Sequence, residues 1–158
     1  MTEPLAADAR GNLLLDLRPG PESVLHDLRP VAPLPLALVV ALRDGECLLV
    51  FNRWRQEWEL PGGMLEPGET AREAAAREFT EETGQPAPAL DFFGTALFRL
   101  APDERLEHAA LFLARLDGLQ EFHPTDEIAD LRLWDPATEI TGLAPLDADI
   151  VRRLTRHA

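Results

Sequence analysis

Every residue from 36 to 42 is apolar, a run that suits a strand covered on both faces. Arg43, Asp44, Gly45 and Glu46 follow, and an Asp-Gly pair between two strand-like runs predicts a hairpin with 47–52 as its return strand. Further on, 89–100 and 106–116 read as two strands joined by Ala101, Pro102, Asp103, Glu104 and Arg105, and 127–134 as a last strand after a polar loop. Leu143, Leu146, Ile150 and Leu154 form an apolar stripe at helical spacing, which predicts a closing helix packed on the sheet. Upstream, Leu13, Leu15 and Leu17 predict an edge strand, and Pro19, Gly20, Pro21 and Pro30 break the chain after it. Residues 1–34 are therefore read as an N-terminal arm carrying that strand, either a plain surface arm or a segment that forms a homodimer, and residues 35–158 as the main domain. Hairpin-joined strands argue against a doubly wound parallel sheet, because parallel strands need long crossovers.

One helix carries the chemistry. Thr70 can cap a helix over 71–83 and Glu73 can complete a capping box. Gly84 is the predicted stop. At about 100° per residue, Ala71, Ala74, Ala75, Glu78, Glu81 and Glu82 share one face. Alanines let the first half sit close against a sheet. The second half crowds three glutamates at the negative end of the helix dipole, where only Arg77 is near enough to help. Either solvent covers that face or something neutralises it, and hard divalent cations take carboxylate oxygens readily.

Composition narrows the choice. The 158 residues suit one domain, and 46% hydrophobic with 27% charged residues can furnish a core. The net charge of −13 repels nucleic-acid polymers. It is compatible with a small polyphosphate that arrives with metal ions, which invert the local sign. The single cysteine, Cys47, excludes an internal disulfide and reads as a buried apolar residue. The apolar run 31–42 holds two prolines and is too short for a bilayer, so no membrane partner is expected. No basic-then-apolar segment opens the chain, and the expected location is cytoplasmic. His108 and His123 lack a second ligand at metal spacing and read as structural.

Gly63, Glu69, Arg77, Glu78, Phe79, Glu81, Glu82 and Gly84 together resemble the signature of the Nudix hydrolases. Every fixed position matches. The apolar residue that ends the pattern is Gln85 here, a departure that bears on packing under the following loop. The resemblance implies an α/β fold, a Nudix-type α/β/α sandwich with a mixed β-sheet, over 35–158. It implies hydrolysis of a nucleoside diphosphate linked to another group, with Mg2+ or Mn2+ as cofactor and a small-molecule nucleotide as substrate. Glu81 and Glu82 are the primary ligands so implied, with Glu78 a third ligand or a base. Glu69 and Arg77 form a structural pair, and the Gly62 carbonyl is a backbone ligand or part of a plain tight turn. Glu127, seven residues before Trp134, is a catalytic carboxylate or a surface charge, with Asp126 beside it. Glu104 and Glu107 are reserve carboxylates. Trp54 and Trp58 are base-stacking residues or core, and Arg53 and Arg55 are phosphate contacts or surface charges. The leading substrate is a nucleoside triphosphate, with oxidised ones such as 8-oxo-dGTP included, giving the monophosphate and pyrophosphate. ADP-ribose or a nucleotide sugar is the alternative, which Pro102 weakly favours. A non-catalytic nucleotide sensor is the alternative from another class.

Overall fold

Strand β3 (Leu36–Arg43) is central because its apolar run is covered on both faces. The structure is a computed structural model describing residues 3–28 and 30–156. The other strands are β1 (Ala6–Ala7), β2 (Leu13–Pro19), β4 (Glu46–Asn52), β5 (Glu57–Glu59), β6 (Gly62–Met64), β7 (Asp91–Leu100), β8 (Arg105–Arg115) and β9 (Ile128–Trp134). Two α-helices flank them, α1 (Ala71–Thr83) and α2 (Pro145–Thr155). The sheet runs β1-β2-β7-β8-β3-β4-β5, with β6 paired to β3 and β9 paired to β4. β3 and β8 are parallel and the other pairs antiparallel, so the sheet is mixed.

Period-two alternation divides β3 between the helices. Ala37, Val39 and Ala41 pack with Ala71, Ala74, Ala75 and Phe79 of α1. Val40 packs on the other face with Leu146, Ile150, Val151 and Leu154 of α2. The layers are therefore α/β/α, and the small alanine face brings α1 close to the sheet. Asp44 and Gly45 both take positive φ, 51° and 82°, as a type I′ hairpin turn requires. Cys47 is fully buried, and burial pushes its thiol up to about 12, so it stays an inert apolar residue. No helix among the described residues is long and apolar enough to cross a membrane.

The strand predicted from Leu13, Leu15 and Leu17 is present as β2, and it belongs to the sheet instead of a surface arm: it pairs with β7, and β1 lies outside it. The fully buried residue there is Leu14, because a bulge between Leu14 and Asp16 breaks the simple alternation of Leu13, Leu15 and Leu17. Gln85, where the motif calls for an apolar residue, fills its place with hydrogen bonds. It is buried, donates from Nε2 to the carbonyls of Thr83 and Gln120 (both 3.1 Å), and accepts from Gln120 N at 2.6 Å.

Candidate active site

β3 pairs at its end with β4 and at its start with β6. The opening between these partners is spanned by the 60–62 loop, which is fastened to three layers in turn. Leu60 N donates to Asp147 Oδ2 of α2 at 2.8 Å. The Pro61 carbonyl accepts from Val39 N of β3 at 2.9 Å. Gly62 N donates to Glu82 Oε1 of α1 at 2.8 Å. Gly62, at φ 150°, lies so close to β3 that a Cβ would overlap the Ala37 carbonyl. At Gly63 a Cβ would stand 2.6 Å from Cδ of Glu78, so this glycine makes the space the carboxylate occupies.

The helix forms as its sequence dictates. Thr70 and Glu73 make the capping box, and Gly84 closes it at φ 68°. Arg77 then organises the loop that precedes it. Its Nε and Nη2 reach the two oxygens of Glu69 at 2.7 and 2.9 Å, and Nη2 also donates to the Met64 carbonyl at 3.0 Å. Arg77 holds the Glu69 carboxyl down to about 2. Its Nη1 donates to Glu78 Oε1 at 2.9 Å and Glu81 Oε2 at 3.1 Å.

These residues face a cavity of about 590 Å³. Glu78, Glu81, Glu127, Glu59 and Asp147 line it, and Arg55, paired to Glu59, is the cation among its lining residues. Leu36, Leu38, Phe98, Leu100 and Leu146 form an apolar wall. Glu82 stands behind Gly62 with 6% of its surface exposed. Burial, together with the charges of Glu127, Glu78 and Glu59, pushes its carboxyl up to about 9, against the pull of the Gly62 N–H. Burial also raises Glu78, partly offset by Arg77 and reinforced by Glu81 and Glu127. Burial and Glu59 push Asp147 up to about 7.

The donor set fits a divalent cation. Among the described residues, no three acidic, imidazole or thiol groups already converge on one ion-sized point. Arg77 restrains one oxygen each of Glu78 and Glu81, and Gly62 N one of Glu82, while Glu78 Oε2, Glu81 Oε1 and Glu82 Oε2 have no donor among the described residues. Hard oxygens on one helix face, short of positive charge, are the ligands that magnesium and manganese take.

The structure thus brings Gly62, Gly63, Glu78, Glu81, Glu82, Glu127 and Arg55 together. Arg53 holds the chain beside Glu127 instead of facing the cavity: its Nε donates to the Thr125 carbonyl at 2.9 Å and its N to the Glu127 carbonyl at 2.8 Å. Trp54 is 72% exposed and does not line the cavity. Trp58 packs edge-on against Phe51, centroids 5.1 Å apart, and bonds through its backbone to Gly142 and Ala144. Glu104 and Glu107 stand away from the lining, Glu107 paired to Arg105. His108 is buried, its Nδ1 3.1 Å from the Ala32 carbonyl. Sequence reasoning missed Asp147, Glu59 and Asn12. The signal for Asp147 was an acid in the first turn of a helix opened by Pro145, which reads by default as a partner of the helix dipole.

An α/β/α sandwich whose central strand packs directly against a carboxylate-bearing helix defines the class. The NUDIX domain model matches residues 33–156, and the chain belongs to the Nudix family. A Bacillus subtilis (strain 168) protein carrying the provisional name 8-oxo-dGTP diphosphatase is 36% identical over 101 residues, 63% of this chain and 65% of that protein. Phosphatase NudJ of Escherichia coli (strain K12) is 35% identical over 99 residues, 63% of this chain and 64% of its own. The matches thus span a little under two thirds of these relatives' length. A crystal structure of a variant of the B. subtilis pyrophosphohydrolase BsRppH superposes with TM-score 0.71 at 24% identity, over 96% of this chain and 92% of that one.

Proposed function

We propose that the protein is a divalent-cation-dependent Nudix pyrophosphohydrolase that splits a nucleoside triphosphate, oxidised ones such as 8-oxo-dGTP included, into the monophosphate and pyrophosphate. The observation that carries this reading is one cavity lined both by apolar side chains and by carboxylates. The apolar wall suits a flat base, and the carboxylates, with Arg55 as the one cation among the lining residues, suit a polyphosphate accompanied by metal. The provisional name of the B. subtilis relative points to the same substrate.

In this reading Glu78, Glu81, Glu82 and the Gly62 carbonyl would hold the cation. When bound, it supplies neutralisation of the phosphate oxygens and a more acidic water. The chain's own residues do the rest. Arg77 fixes Glu69, and with it the loop, against α1. Gly63 leaves room for the Glu78 carboxylate. Glu127 accepts a proton from the attacking water as its oxygen bonds to phosphorus, and the bridging P–O bond breaks to release pyrophosphate. The apolar wall holds the base and excludes water from it.

The test is release of phosphate or pyrophosphate from a panel of nucleoside triphosphates, ADP-ribose and nucleotide sugars, with magnesium and with chelator, adding a phosphatase where the product is a phosphomonoester. Magnesium-dependent turnover of triphosphates is the expected result. Turnover confined to ADP-ribose or a nucleotide sugar would move the substrate to that class. Tight nucleotide binding without turnover would make the protein a sensor.

A further inference from the structure

The turn at residues 8–12 lies outside the matched domain (33–156), yet it reaches the cavity. It is braced on itself. Arg10 N and Asn12 N both donate to Asp8 Oδ1 at 2.9 Å, and Asn12 Nδ2 donates to Asp8 Oδ2 at 3.0 Å. Such a turn is held in shape by its own side chains. It is also fastened at two places. Asn12, which lines the cavity, accepts from Ala101 N through Oδ1 at 2.9 Å, directly after the lining residue Leu100. Arg10 reaches the other way, its Nη1 to Glu57 Oε1 at 2.5 Å and its Nη2 to the Arg55 carbonyl at 3.2 Å. Arg55 in turn lines the cavity, and its side chain is paired to Glu59.

The turn therefore joins the β7–β8 connection to the β4–β5 loop, and both places adjoin cavity-lining residues. Its neighbours in the lining, Phe98 and Leu100, belong to the apolar wall, whereas α1 contributes Glu78 and Glu81 to the lining. Residue 13 pairs with Arg99 and Leu14 with Phe98, so the Asn12 side is continuous with the sheet. The Arg10 clasp is half-exposed and is the side that can open.

We infer that residues 8–12 are a strap that sets the width of the cavity at its apolar wall, and that Arg10 is a positioning residue for nucleobase selection. The inference rests on the reading of the cavity as a nucleotide site. Substrate with a base is held by walls the strap draws together. A polyphosphate without a base does not reach them.

The test compares wild type, Arg10→Ala and Arg10→Lys on purine and pyrimidine nucleoside triphosphates with magnesium, with inorganic tripolyphosphate as a competitive, baseless probe. For Arg10→Ala the KM for the preferred triphosphate should rise about five-fold, the scale of one part-exposed ion pair. The preference between purine and pyrimidine should narrow, kcat should hold within about two-fold, and the tripolyphosphate inhibition constant should not move. Arg10→Lys should recover part of the KM, since lysine can pair with Glu57 but lacks the fork that also reaches the Arg55 carbonyl. An unchanged KM and base preference in Arg10→Ala would overturn the strap alone. So would a tripolyphosphate constant that moves as far as the KM, because Arg10 would then act on phosphate charge. Failure of the wild type to turn over any nucleotide would overturn the reading of the site, and the strap with it.

Discussion

Glu82 and Gly63 show how closely chemistry and packing are joined in α1. Glu82 is buried and already accepts from Gly62 N, so its free oxygen is aimed by the fold. Glu82→Gln keeps the side chain's size and an acceptor for that N–H while removing the charge. Turnover should fall by several powers of ten with the folded state intact by circular dichroism, and activity within a few-fold of wild type would remove Glu82 from the ligand set. Gly63→Ala tests the space instead. The new Cβ would meet Cδ of Glu78 at 2.6 Å, and that carboxylate is the far end of a flexible side chain. The carboxylate can swing away at little cost to the fold, but it leaves the position Gly63 makes for it. We predict a loss of about ten-fold or more in kcat, the scale set by misplacing a reacting group, with little change in melting temperature. A large drop in melting temperature at full activity would show that Gly63 serves the backbone alone.

Elements built from local rules were legible in the sequence. The α1 caps, the 44–45 hairpin and the two-faced strand β3 follow from neighbouring residues, and the structure has each of them. The motif glutamates were legible because their spacing puts them on one helical face. What depends on distant contacts was not legible. The bulge in β2 is set by pairing with β7, some 80 residues on, and it makes Leu14 the buried residue. β5 and β6 are three residues each, too short for a periodic signal. Asp147 meets Leu60 only because α2 crosses back over the sheet. Gln85 belongs to the same group: read locally it is a polar residue in an apolar slot, while in the fold it clamps Gln120 in the segment leading to Glu127. Gln85→Leu would restore the motif's residue type and lose that clamp. It should cost about 1–3 kcal/mol in denaturant unfolding and slow turnover as the segment loosens. Equal or greater stability would show that the slot prefers an apolar side chain after all.

Over the whole molecule, acidity is the theme: the net charge is −13, and Asp147 and Glu82 sit on opposite faces of the same loop. Both carboxyls are pushed up, Asp147 to about 7 and Glu82 to about 9, chiefly by burial. A carboxyl whose folded pKa lies above its unfolded value takes up protons on folding. Its contribution is complete below the unfolded value, near 4, and is lost as pH rises through the folded value. Without metal, the melting temperature should therefore fall from about pH 5 to pH 9, first with Asp147 and then with Glu82. Asp147→Asn keeps an acceptor for Leu60 N and should flatten the first part of the fall, and Glu82→Gln the second. Magnesium should restore stability at the alkaline end in wild type, because it binds the ionised carboxylate and acts by mass action on the folded state, by about 2.7 kcal/mol at a hundred-fold excess over Kd. Glu82→Gln should respond less, and Asp147→Asn as wild type does. The decisive comparison is a set of melting curves in chelator and in magnesium across that range. A melting temperature that stays level or rises toward pH 9 in chelator would mean that the two acids are ionised at no cost, and that the loop is not short of positive charge.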